Sequence, residues 1–85
     1  MKTEDLVALT NGLSVTACGQ TLVCDRARLI PVRNDAMDLA FLVAGTDIVP
    51  RLRLTLERLS AATADEIAAI VRRVARAAAL PEPCR

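Results

Sequence analysis

The sequence predicts a single α+β domain: a short N-terminal helix, a β-hairpin of two, possibly three, strands, and three helices ending in a long amphipathic one. Three patterns favour this class. Residues 13–24 alternate between apolar and polar side chains around a glycine, which is typical of a hairpin. Residues 35–43 are largely apolar, and residues 63–80 join a helix-capping sequence to an apolar stripe. We expect a compact domain over residues 1–80 and a C-terminal tail over residues 81–85.

The first helix is predicted over residues 4–10. Thr3 is a suitable capping residue, and the two acidic residues after it suit the positive end of the helix dipole. The Asn11-Gly12 pair then ends the helix, because both residue types adopt the left-handed conformation readily.

The hairpin is predicted to have strands at residues 13–18 and 21–24. Gly19-Gln20 would form a type II′ turn, since glycine stands at its first central position. The segment 26–32 is also extended in character, and it either lengthens the second strand or forms a third.

The second predicted helix begins at Asp35 and ends at Gly45, and nearly all its residues are apolar. A helix that is apolar on most of its surface is central or lies at an interface.

Residues 51–59 are ambiguous between helix and strand. They alternate as a strand does as far as Leu56, yet they also place leucines at helical spacing. A cap at Thr46 or Asp47 and the sequence Glu57-Arg58-Leu59 favour a helix.

The last helix has the clearest local signals. Thr63 and Glu66 form a capping box, in which each side chain satisfies a backbone donor at the helix start. One apolar stripe follows at helical spacing. It consists of Ile67, Ile70, Val71, Val74, Ala75 and Ala78.

The composition favours self-association. The chain is 53% hydrophobic, but Phe41 is its single aromatic residue, so the core is aliphatic and small. Dimerisation is the expected way to bury the surplus apolar surface. The predicted dimer interface contains Phe41, Leu42, Leu52 and Leu56.

The remaining composition favours a cytoplasmic protein. The N-terminus carries acidic residues where a secretory signal has its apolar core, and no apolar run is long enough to span a bilayer. Three cysteines are an odd number, which favours reduced thiols and a reducing compartment.

No residue pattern indicates catalysis, a cofactor or a metal, so the sequence predicts a protein that is not an enzyme. Cys18 and Cys24 are the strongest candidates, but the chain has no histidine and no C-x-x-C motif. The predicted turn places Val15 opposite Cys24, and it puts Cys18 and Cys24 on opposite faces. A disulfide between them is therefore not expected, and a thiol-dependent redox or metal protein ranks last among the functions considered.

The arginines are the candidate partner-binding residues. The predicted set is Arg72, Arg73 and Arg76 of the last helix, with Arg51 and Arg53 before it. A basic surface can hold phosphates, but the net charge is only +1 and no second ring accompanies Phe41 for base stacking. An acidic protein surface is therefore the favoured partner, and nucleic acid is less favoured.

The layout resembles that of small accessory proteins of bacterial viruses and mobile elements, which include inhibitors of host machinery and assembly chaperones. This resemblance rests on layout alone and assigns no residue. The absent catalytic groups and the surplus apolar surface predict a non-enzymatic protein-binding module that acts as an inhibitor, adaptor or chaperone by occluding a partner. The alternative is a small nucleic-acid-binding transcriptional regulator that uses the arginine-rich C-terminal half.

Overall fold

The computed structural model describes residues 1–79, which form an α+β fold. Its helices are α1 (Thr3–Thr10), α2 (Leu56–Ala61) and α3 (Ala64–Ala79). Its strands are β1 (Ser14–Ala17), β2 (Gln20–Val32), β3 (Ala36–Val43) and β4 (Arg51–Thr55), in one antiparallel sheet of order β1-β2-β3-β4. The predicted class is confirmed, but the described chain has four strands where a hairpin of two or three was predicted. The predicted tail over residues 81–85 lies outside the described residues.

Helix α1 agrees with its prediction within one residue, but its predicted cap is wrong. Thr3 is already helical, and the capping position falls on Lys2, whose side chain makes no capping hydrogen bond. The helix ends at Thr10 as predicted, but in the Asn11-Gly12 pair only Gly12 is left-handed, with φ of 89°, whereas Asn11 is extended. The side-chain oxygen of Asn11 accepts a hydrogen bond of 2.8 Å from the backbone N–H of Ala27. The helix end is therefore tied to β2.

The first hairpin forms, but with a different turn. Cys18 and Gly19 occupy its centre with φ values of 52° and 77°, so both are left-handed, as a type I′ turn requires. The predicted Gly19-Gln20 turn is therefore wrong. The register shifts accordingly, and Val15 lies opposite Leu22 instead of Cys24.

Strand β2 continues through the segment that was predicted to lengthen it or to form a third strand. Its pairing with β3 shifts between Asp25 and Arg28, which marks a β-bulge. Arg26 lies in this bulge with φ of 53°, and its backbone N–H donates to the Asp25 carboxylate at 2.8 Å.

The predicted second helix is wrong, because this segment is strand β3. Asn34 and Asp35 are left-handed, with φ values of 61° and 57°, and they turn the chain back into the sheet instead of starting a helix. β3 pairs with β2 on one side and β4 on the other. Residues 39–43 of β3 are apolar on both faces of the strand, as a buried helix would be, so the pattern alone did not distinguish strand from helix.

The predicted third helix is wrong over its first half. Residues Arg51–Thr55 form β4, as their alternation indicated, and the helical signals apply only to α2. The Thr55 hydroxyl accepts from the backbone N–H of Arg58 at 3.1 Å, which caps α2.

Helix α3 lies where it was predicted, but only the Thr63 half of its capping box bonds a backbone donor. The Thr63 hydroxyl accepts from the backbone N–H of Glu66 at 3.2 Å, and it also donates to the Glu66 carboxylate at 3.2 Å. On the apolar stripe, Ile67, Val71 and Ala75 are fully buried, whereas Ile70 is half-buried. No helix within residues 1–79 is long and apolar enough to cross a membrane.

The core lies between the helices and one face of the sheet. Cross-strand partners share a face, so the pairs Cys24–Val43 and Leu29–Leu39 place these side chains together on the core side. The other members of the core cluster come from the helices, from the residue just before β1, and from β1, β3 and β4, and none comes from the opposite face of β2, β3 or β4. These other core members are Leu6, Leu13, Val15, Phe41, Leu54, Leu59, Ile67, Ala68, Val71 and Ala75. The opposite face of the sheet therefore has no helix over it within the described chain.

Candidate functional site

The helix-free face of the sheet carries cations in cross-strand rows. Ala40 of β3 pairs with Arg28 of β2 on one side and Arg51 of β4 on the other. In the next row Asp38 lies between Ile30 and Arg53. Neighbouring strands are about 4.8 Å apart, so Arg28 and Arg51 are about 10 Å apart at the backbone.

Ala40 lies between Arg28 and Arg51 and leaves no solvent-accessible gap between them. It is fully buried although it lies on the helix-free face and does not belong to the core cluster. Arg28 and Arg51 are both exposed, and long arginine stems lie along apolar surface while their charged ends remain in water. The buried Ala40 therefore has an exposed cation on each side of it.

The Asp38 carboxylate holds one arginine of this face in place. The Nε of Arg53 donates to Oδ1 of Asp38 at 2.9 Å, and Nη2 donates to Oδ2 at 3.4 Å. The Asp38 side chain is only 8% exposed, whereas that of Arg53 is 67% exposed. The hydrogen bond from Arg53 holds the pKa of Asp38 below its usual range, against the opposing effect of burial. Asp38 is therefore a neutralised anion, and the arginine side of the pair faces solvent.

A shallow groove joins the bulge of β2 to this surface. Its lining includes Arg26, Arg28, Leu42 and Val49. We call the set Arg26, Arg28, Arg51 and Arg53 the arginine face. Asp25, which is exposed, and the paired Asp38 are the acidic residues at neighbouring strand positions. Positive charge therefore exceeds negative charge here, although the whole chain is nearly neutral.

The predicted partner-binding arginines do not form one surface. Arg51 and Arg53 belong to the arginine face, whereas the others project from α3. Arg72 Nε donates to the carbonyl of Ser14 at 3.2 Å, and Arg76 Nε donates to the carbonyl of Thr16 at 3.1 Å.

Arg73 is exposed, and its side chain makes no hydrogen bond within residues 1–79. Two of the three α3 arginines thus bind β1 of their own chain.

The predicted dimer-interface residues are also separated. Phe41 is fully buried in the core of one chain, so the folded chain does not present it at its surface. Leu42 lies on the helix-free face, whereas Leu52 pairs with Leu39 on the core side. Leu56 is 41% exposed at the start of α2. These four side chains do not form a common patch.

Cys18 and Cys24 differ in their covalent state. Cys24 is a free, buried thiol, and burial raises its pKa while Arg72 lowers it to a smaller extent. Cys18 is disulfide-bonded, but not to Cys24, which agrees with the prediction that this pair is not joined. The expectation of reduced thiols is wrong at Cys18, and it no longer supports a reducing compartment.

Arg26 and Arg28 are the members of the arginine face that were missing from the predicted set. Their alternation in the extended segment 26–32 was visible in the sequence. Their meeting with Arg51 depends on the pairing of β2 with β3 beyond the bulge, which local sequence does not specify.

Within residues 1–79, no three histidine, cysteine, aspartate or glutamate side chains lie together in a way that could hold a metal ion. No known protein family, characterised protein or solved structure shows significant similarity to the chain.

Proposed function

We propose that the protein is a non-enzymatic protein-binding module that uses its arginine face to cover an acidic surface of a partner protein. The observation that carries this proposal is the helix-free sheet face, on which Arg28 and Arg51 flank the buried Ala40. Exposed cations spread over three strands, with only a shallow groove beside them, suit another protein surface better than a small molecule, which binds in an enclosed pocket. An inhibitor, an adaptor and an assembly chaperone all act by such occlusion.

Arginine is well suited to this role. Its planar guanidinium donates two parallel hydrogen bonds to a carboxylate, and its stem adds apolar contact. Arg53 already binds the carboxylate of Asp38 through two nitrogens, which demonstrates this geometry on the same face. The proposed partner would supply carboxylates to Arg26, Arg28 and Arg51 in the same manner.

Nucleic acid is the second candidate, because four arginines on one face can also contact phosphates. Phe41, the one aromatic residue of the chain, is buried, so it is not available for stacking on bases.

Self-association also stays a prediction. Light scattering from micromolar to millimolar protein tests it, and a monomer mass throughout would refute it.

The test of the proposed function compares two charge-reversed double variants. Arg28→Glu/Arg51→Glu alters the arginine face, and Arg58→Glu/Arg73→Glu changes net charge equally on exposed helical positions. After circular dichroism shows both to be folded, each is used for quantitative co-purification from the native host. We expect one protein to co-purify with the wild type and with Arg58→Glu/Arg73→Glu, the control variant. That protein should be lost from Arg28→Glu/Arg51→Glu, the sheet variant.

Two results would contradict this proposal. Equal retention by the two variants would show that the arginine face is not the binding surface. A gel-mobility shift of duplex or single-stranded nucleic acid by sub-micromolar wild type at about physiological salt, lost in the sheet variant, would favour the regulator instead.

A further inference from the structure

The two edges of the sheet differ in how their backbone groups are satisfied. At β1 the carbonyls of Ser14 and Thr16 point away from β2, and Arg72 and Arg76 of α3 donate to them. Side chains placed against an edge strand keep another strand from pairing with it. The β1 edge is therefore blocked by its own chain.

The β4 edge is open within residues 1–79. The carbonyl of Pro50 accepts from Phe41 at 3.3 Å, and the N–H of Leu56 donates to Asp35 at 2.9 Å. Backbone groups alternate in direction along an antiparallel strand, so those of Arg51 and Arg53 point away from β3. Within residues 1–79, no hydrogen bond reaches these outward groups.

Exposed apolar side chains flank this edge. Ile48 and Val49, just before β4, are 39% and 49% exposed, and Leu56, just after it, is 41% exposed. Val23, at 40% exposure, is the one other large hydrophobic residue within residues 1–79 with a similarly exposed side chain. Apolar exposure therefore concentrates at the two ends of the strand whose backbone is open, as expected where a partner covers it.

We propose that an extended acidic segment of the partner adds to β4 as a fifth strand. This inference rests on the proposed function and specifies its partner. In such an addition, backbone hydrogen bonds supply affinity and alternating side chains supply specificity. Acidic side chains at every second position would face Arg51 and Arg53, and the apolar side chains between them would lie on the side of Leu52.

Charge complementarity favours an acidic segment over a second copy of β4. In a symmetric antiparallel pair of two β4 strands, Arg51 and Arg53 of both copies project on the same face. Each register that overlaps them places an arginine opposite or next to an arginine of the other copy. Like charges opposite each other destabilise strand pairing, whereas glutamates or aspartates there would form ion pairs.

The experiment uses a synthetic ten-residue peptide of alternating glutamate and valine. A peptide of equal composition, with five glutamates followed by five valines, has the same charge but cannot place it on one face of a strand. Binding to the full chain is measured by calorimetry. Hydrogen exchange followed by NMR reports the backbone amides of Arg51 and Arg53.

A matched pair of substitutions separates strand addition from charge attraction. Arg51→Gln and Arg51→Pro both remove the charge, but only proline also removes the outward N–H. Proline is tolerated on an edge strand when its nitrogen faces away from the sheet. We expect Arg51→Pro to bind the alternating peptide about tenfold more weakly than Arg51→Gln, since one backbone hydrogen bond is lost.

The supporting result is binding of the alternating peptide, weaker binding of the block peptide, and slower exchange at the Arg51 and Arg53 amides. The exchange measurement uses the wild type, so it holds even if Arg51→Pro does not fold. Equal weakening by both substitutions would overturn strand addition but leave the arginine face as a binding surface.

Two further results would also overturn the inference. One is failure of the alternating peptide to bind the wild type, and the co-purification experiment then tests the proposed function separately. The other is a dimeric wild type that becomes monomeric in Arg51→Pro, because β4 would then pair with a second copy.

Discussion

Truncation of Ile67 to alanine tests whether α3 holds the fold together. Ile67 is fully buried on the stripe that faces the sheet. The change removes three carbon groups, which is a transfer free energy of about 2.4 kcal/mol at about 0.8 kcal/mol each. The cavity left behind raises the expected loss to about 3–4 kcal/mol.

This loss is large for so short a chain. At about 0.05–0.15 kcal/mol per residue, a domain of 85 residues has a free energy of unfolding of about 4–13 kcal/mol. Each kcal/mol corresponds to about 4–8 °C in a domain of this size, so the melting temperature should fall by at least about 12 °C. Urea unfolding and thermal unfolding, both followed by circular dichroism, measure the two quantities.

Ile70→Ala is the matched control, because it removes the same three groups from the half-buried neighbour on the stripe. Its cost should be about half as large, since about half the area leaves water. Arg73→Ala, at an exposed position, should change stability by less than about 0.5 kcal/mol. Equal losses at Ile67 and Ile70 would refute the packing described for α3.

Three further measurements test other contacts. Arg53→Gln should raise the pKa of Asp38, which an NMR titration measures. Because the pKa of Asp38 is lower in the folded chain, the ion pair stabilises the fold fully above the unfolded pKa of about 3.9. That stabilisation is lost as the pH falls through the folded pKa. An unchanged Asp38 titration would contradict this. Replacing Arg72 and Arg76 by glutamine should unblock β1 and increase aggregation on heating, and unchanged light scattering would argue against that blocking role. Cys24 should react with iodoacetamide slowly until the chain unfolds, because burial raises its pKa, and fast labelling of the folded chain would contradict its burial.

The elements that could be predicted from sequence are those whose signals are local. Helix α3 has its cap at Thr63 and Glu66 and its apolar stripe within one continuous segment. Strand β3 lacks such a signal, because its apolar run fits a buried helix equally well. Its strand conformation comes from pairing with both neighbours, which are separate in the sequence.

The candidate site was predictable only in part for the same reason. Arg51 and Arg53 lie two apart in an alternating segment, so their common face follows from strand geometry. Arg28 joins them only because β2 pairs with β3 beyond a bulge. Conversely, Arg72 and Arg76 look like a free basic surface in the sequence, and only the position of β1 beside α3 explains their hydrogen bonds.

The contrast between the sheet edges follows from where each arginine is attached. An arginine on a strand projects from the sheet face, and within residues 1–79 neither Arg51 nor Arg53 bonds the outward carbonyls of its own strand. An arginine on an adjoining helix can reach across an edge, as Arg72 and Arg76 do at β1. Arginines on α3 therefore block the β1 edge, whereas arginines on β4 leave their own edge open with positive charge beside it. This arrangement confines strand addition to β4 and favours segments that carry acidic residues at alternate positions.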